Sequence, residues 1–115
     1  MNDVVYKNAY SAIVKGKPVK VSNYGTVSAM TESDTVSSFY GVTMENIPQS
    51  VYNSTDYIFG RVITKGYVSS LLLGLTGLST GDKIGINNGS FAVVTSNEIG
   101  VIDFVVDSIG YMRIY

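Results

Sequence analysis

Valine and isoleucine supply 26 of the 115 residues, against 9 for leucine and alanine together. β-Branched side chains lose rotamer freedom in a helix but pack well on a pleated surface, so this imbalance points to strands. Nine Tyr and four Phe push the same way. Twelve Gly recur every few residues, which is the spacing of turns between short strands. No window of a dozen residues carries apolar positions at i, i+3, i+4 and i+7. The nearest, residues 68–78, contains Gly74 and Gly77 and lacks a polar face. The expected fold class is therefore all-β: a single small β-barrel or β-sandwich of short antiparallel strands. A chain of this length fills one domain. That domain is assigned to residues 11–115, with residues 1–10 as an N-terminal arm, since their two tyrosines sit in no clear strand pattern.

Residues 11–15 lead into an alternating strand at Val19, Lys20 and Val21. Asn23-Tyr24-Gly25 then turns the chain back along residues 26–30. Further extended segments are expected at 38–44, 57–64, 66–70, 91–95, 99–106 and 110–115, with a long polar stretch over 45–56. Residues 78–89 run parallel in outline to residues 13–25: a glycine-led corner, an alternating strand, an Asn/Gly turn and a returning strand. Asn88-Gly89 is the strongest short-range hairpin signal in the chain. Two copies are too few for a solenoid, so the expectation is two similar hairpins within one fold.

The absences narrow function. There is no Cys and no His, which removes the thiolate nucleophile, the disulfide, the usual zinc ligands and the one side chain that titrates unperturbed near neutrality. Ser–Lys catalysis needs a desolvated lysine, and none of the six lysines lies inside an apolar run. Asp103 and Asp107 share one face of a regular strand at about 13 Å. That exceeds the ~5–9.5 Å between carboxylates that hydrolyse glycosides. Residues 82–89 offer oxygen ligands without the spacing of a calcium loop. The expectation is no enzyme, no cofactor and no metal site.

Lys plus Arg is 8 and Asp plus Glu is 9, a net charge of -1 without a basic block. That gives no electrostatic footprint for nucleic acid. Lys15, Lys17 and Lys20 form the one cluster and belong on a solvated corner. No apolar run approaches the ~20 residues of a membrane span. The first ten residues lack the basic-then-apolar layout of a secretion signal, so synthesis in a cytoplasm is expected. The sequons at Asn53 and Asn88 accordingly read as turn chemistry. Only 15% of residues are charged, well under the usual ~25%. Either Ser, Thr and Asn make the surface polar instead, or part of it is covered by a partner.

Candidate contact residues follow. All five leucines lie within residues 71–78. Leu71, Leu72, Leu73 and Leu75 form either a buried strand or plug across a barrel end, or an apolar contact between subunits. Tyr111, Arg113 and Tyr115 alternate onto one face of the last strand, and Tyr and Arg are enriched at binding hot spots. Tyr52, Asn53 and Tyr57 form a candidate outward loop.

The order Gly41-Val42-Thr43-Met44-Glu45, Gly60-Arg61-Val62 and Gly66-Tyr67-Val68 resembles the middle of small bacteriophage capsid decoration (cement) and head-fibre proteins. The run from Gly77 to Ile84, then Ile99-Gly100-Val101 and Gly110-Tyr111-Met112-Arg113-Ile114, is similar to their second half. The likeness covers roughly residues 11–115, and the insertion at 48–56 departs from it, which leaves cement protein and fibre base both open. The resemblance implies a β-barrel-like homotrimer on the capsid exterior of a virion, bound to the major capsid protein and without a catalytic site. The alternative is a receptor- or carbohydrate-binding module of a phage tail or fibre, with residues 52–57 as its stacking platform.

Overall fold

A computed structural model describes residues 2–50 and 58–115. Tyr52, Asn53 and Tyr57 lie outside the described residues. The β-branched sequence folds as an all-β domain in which one antiparallel sheet curls into a half-barrel. Its strands are β1 (Asp3–Lys7), β2 (Pro18–Val21), β3 (Val27–Ala29), β4 (Gly41–Thr43), β5 (Gly60–Ser69), β6 (Lys83–Asn87), β7 (Ser90–Val94), β8 (Gly100–Val106) and β9 (Ile109–Ile114). A single helical turn, α1 (Ser70–Leu73), follows β5. The strand order is β3-β2-β4-β5-β9-β8-β6-β7, with β1 on β5.

That order reads the same from either end. In each half a hairpin (β2–β3 or β6–β7) is joined through its first strand to a third strand (β4 or β8), which pairs with a fourth (β5 or β9), and the two fourth strands meet at the centre. Hydrogen bonds within each half match those of the other position by position. Gly16 N donates to Thr43 O at 2.8 Å and Gly81 N to Ile102 O at 2.7 Å. Thr43 N donates to Lys17 O at 3.1 Å and Ile102 N to Asp82 O at 2.8 Å. Tyr40 N donates to Val19 O, and Ile99 N to Ile84 O, both at 2.8 Å. Gly41 and Gly100 match as well: an added Cβ would lie 2.6 Å from Ile63 O in the first half and 2.5 Å from Arg113 O in the second. The likeness seen between the two hairpins thus extends to a repeated four-stranded unit.

Both hairpins form where the turn residues place them. Asn88 and Gly89 have φ of 52° and 75° in a two-residue turn, the mirror-image geometry that suits strand twist. Residues 11–15 differ from expectation, because only Ile13 pairs, with Ile47. Side chains capture the neighbouring backbone instead: Thr43 Oγ1 donates to Val14 O at 2.9 Å, and Lys15 N donates to Asn46 Oδ1 at 2.9 Å. The pieces expected over 57–64 and 66–70 are joined, from Gly60 to Ser69, in one long strand, β5. It passes Gly66 at φ 114°, and the Asn2 amide takes Tyr67 N at 2.9 Å and Tyr67 O at 3.4 Å, as a ladder neighbour would.

The N-terminal arm is corrected in part, since β1 pairs with β5 from Asp3 to Lys7. Val4 and Tyr6 point to solvent while Val5 packs inward. Apolar residues on both faces erased the alternation that marks a half-buried strand.

Two cores flank the sheet. Val62 packs with Ala9, Ile13, Val19, Val27 and Ile47. Its neighbour Ile63 joins the larger core of Val42, Val68, Leu73, Ile84, Phe91, Ile99, Ile102, Met112 and Ile114. Successive residues of β5 thus serve opposite faces, as a pleated strand requires.

Candidate functional site: an aromatic sheet face and a tyrosine-walled cleft

Met112 and Ile114 are buried in the larger core, so the alternate residues of β9, Tyr111 and Arg113, face outward. Register brings β5 and β8 alongside: Tyr67 lies opposite Arg113, and Phe104 opposite Tyr111. The β8–β9 register slips between Ile102 and Phe104, and Asp103 and Phe104 are both exposed there. The Phe104 and Tyr111 rings stack at 4.9 Å and 17°, and Tyr67 meets Phe104 at 5.6 Å and 48°.

A polar group borders these rings. Tyr67 OH donates to Asp103 Oδ2 at 2.7 Å, and Arg113 Nε stands 3.7 Å from the same oxygen. The hydrogen bond to Asp103, followed by partial desolvation, raises the Tyr67 phenol above its ordinary range. Arg113 also lies 6.0 Å from the ring of Tyr115. Of the candidates on this strand, Arg113 thus stands beside Tyr115 and Asp103 while Tyr111 stacks on Phe104, and Tyr67 joins them from β5. Sequence spacing alone missed Phe104 and Asp103 because the slip breaks the two-residue period that placed Asp103 and Asp107 on one face. Asp107 instead occupies the β8–β9 turn with φ 51°. Val106, two residues beyond Phe104 and 51% exposed, continues that face toward the turn.

The leucines divide. Ser69 caps α1, its Oγ accepting from Leu72 N at 3.4 Å, and Gly74 closes the turn in the left-handed region. Leu73 is only 6% exposed and belongs to the core, which removes it as an interface candidate. Leu72, Leu75 and Leu78 lie half-buried against that core, while Leu71 is 71% exposed.

A second feature surrounds the β2–β3 turn. Tyr24 sits there at φ 61° and divides two clefts. One, of about 390 Å³, is lined by Tyr10, Ser11, Ser22, Asn23, Tyr24, Thr26 and Ser28. The other, of about 340 Å³, is lined by Tyr6, Lys7, Asn8, Tyr24, Gly25, Thr26 and Phe59. Tyr10 and Tyr24 carried no sequence signal beyond their type, because the cleft joins segments far apart in the chain. A third hollow, of about 530 Å³, separates residues 34–37 from β7.

Lys20, from the expected basic cluster, is paired with Asp34 at 2.8 Å. Among the described residues no group of three or more acidic side chains is placed to hold a metal ion, and no helix is long and apolar enough to cross a membrane. No protein-family model matches the sequence, and no curated protein matches it.

Proposed function

We propose that this chain is a non-enzymatic structural protein of a phage particle. In this reading it packs as a homotrimer and binds the outer surface of the capsid, as a decoration protein or the base of a head fibre. The observation that carries the reading is the strip of exposed Tyr67 and Phe104 with half-buried Tyr111, bordered by Asp103 and Arg113, on a chain with few charges. Contiguous exposed aromatic surface with a polar border is the composition of an interface. The likeness of the glycine-and-valine segments to decoration and head-fibre proteins supplies the capsid as partner.

Trimeric packing suits such a role. Three equal weak contacts made at once raise avidity through effective concentration, without any strong single site. Binding only the assembled lattice would also stabilise it by mass action. Phe104, at the centre of the strip, is the residue whose truncation tests this. Losing a central aromatic anchor costs about 2 kcal/mol, roughly 30-fold in association. The purified chain should co-sediment with empty capsids built from the major capsid protein encoded with it, and Phe104→Ala should reduce retention by about that factor. Equal retention of both proteins, or of neither, contradicts the proposal.

A further inference from the structure

We infer that the cleft between Tyr10 and Tyr24 is a binding site for a neutral saccharide. Two exposed phenol rings form its walls, at 56% and 71% exposure. Between them the described lining residues are uncharged: Ser11, Ser22, Thr26 and Ser28 carry hydroxyls and Asn23 an amide. Among the described residues no carboxylate, ammonium or guanidinium lines this cleft. A sugar ring presents complementary chemistry, with C–H faces for aromatic walls and hydroxyls around its edge for polar partners. The volume of about 390 Å³ lies within the 300–1,000 Å³ of small-ligand sites and suits one or two sugar rings.

Hydrogen-bonding capacity is also to spare. Ser22 and Thr26 satisfy each other at 2.7 Å, and Thr26 Oγ1 donates to Asn23 O at 2.7 Å. The side chains of Ser11, Asn23 and Ser28 make no hydrogen bond to any described residue, which leaves two hydroxyls and one amide for a ligand.

The backbone beneath the cleft points the same way. Tyr24 holds a positive φ that a bulky residue rarely adopts and that costs about 1–3 kcal/mol. The repeat supplies an internal comparison: the matching hairpin turns on Asn88-Gly89, the residues such geometry prefers, and carries no ring. The first hairpin uses a longer turn, closed by Ser22 N to Thr26 O at 2.7 Å and Thr26 N to Asn23 O at 3.2 Å. That turn sets an aromatic ring on the strained position. Strained residues held by their surroundings cluster at ligand sites.

The test uses the full chain on an array of neutral mono- to tetrasaccharides containing hexose and N-acetylhexosamine units. Amide chemical shifts are then followed by NMR with the best-retained sugar. Binding should perturb amides within residues 10–11 and 22–28. Tyr24→Asn removes the ring while keeping a residue tolerant of positive φ, so the fold should persist and affinity should fall at least tenfold. Tyr10→Ala should do the same, and Tyr24→Phe should retain most of the binding. Phe104→Ala should leave saccharide affinity unchanged while weakening self-association, which separates failure of this site from failure of capsid attachment. The inference is overturned by no retained neutral saccharide, by retention of charged glycans alone, by affinity that survives both Tyr10→Ala and Tyr24→Asn, or by shifts confined to residues outside the cleft.

Discussion

Two glycines illustrate how single residues set the register of each half. A Cβ on Gly100 would lie 2.5 Å from Arg113 O and 2.8 Å from Met112 Cγ, closer than real contacts allow. Gly100→Ala must therefore displace β9 or its buried Met112, with an expected cost of about 1–3 kcal/mol in the urea unfolding free energy. An unchanged midpoint would show that β8 and β9 are not held at this spacing. Charged residues make a second prediction. Glu45 accepts from Arg61 Nε at 3.1 Å and from Arg61 N at 2.8 Å, and Asp34 from Lys20 Nζ and Thr31 N, so both carboxyls lie below their ordinary values of 4.5 and 3.8. A lowered native pKa means the unfolded state binds protons first as pH falls. The stability these pairs contribute is thus present above about pH 4.5 and is lost on acidification through the native values. Tyr67 has the opposite sign: its raised phenol contributes below pH 10 and loses that contribution as pH rises beyond it. Urea midpoints measured from pH 2 to 6 should fall with acid, and the fall should shrink in Glu45→Gln. At this scale the outward set of Tyr111 and Arg113 was legible from simple alternation. Tyr67 was not, because its role depends on a register between strands more than 40 residues apart.

Elements differ in how openly the sequence declares them. The β6–β7 hairpin was legible because Asn-Gly favours one turn geometry and apolar residues alternate beside it. Gly89 carries this geometry, since its φ is 75° and an added Cβ would lie 2.6 Å from Met30 O. Gly89→Ala should therefore destabilise the protein by more than 1 kcal/mol, while Gly77→Ala meets no atom within 4 Å and bears only the cost of its own positive φ. Thermal unfolding of the two variants checks the difference; equal shifts would mean that contact with Met30 adds nothing. β1 was hidden because Val4 and Val5 face opposite ways and only one is packed. The segment around Ile13 imitates a strand in sequence, yet Thr43 and Asn46 side chains take the backbone groups a strand partner would need. The leucine run became a capped helical turn, with Ser69 before it and Gly74 after it, and only Leu71 left in solvent.

Across the whole molecule, the two halves share a strand order, three matched hydrogen bonds and a matched glycine contact, but they do not share surfaces. The first half carries the Tyr10–Tyr24 cleft around its hairpin turn. The strip of Tyr67, Phe104 and Tyr111 lies instead where β5, β9 and β8 run side by side. A repeated scaffold with two unlike surfaces fits a protein that packs against copies of itself on one side and meets a ligand on another. Composition foreshadowed this division only as a shortage of charge; where the uncharged surface gathers became visible once strand register was known. Self-association is the claim on which the capsid-surface proposal stands. Sedimentation equilibrium of the full chain at neutral pH measures it most directly. The proposal predicts a species of three times the 12.4 kDa chain mass that shifts toward monomer in Phe104→Ala. A monomer persisting at high protein concentration, or a trimer untouched by that substitution, would contradict it.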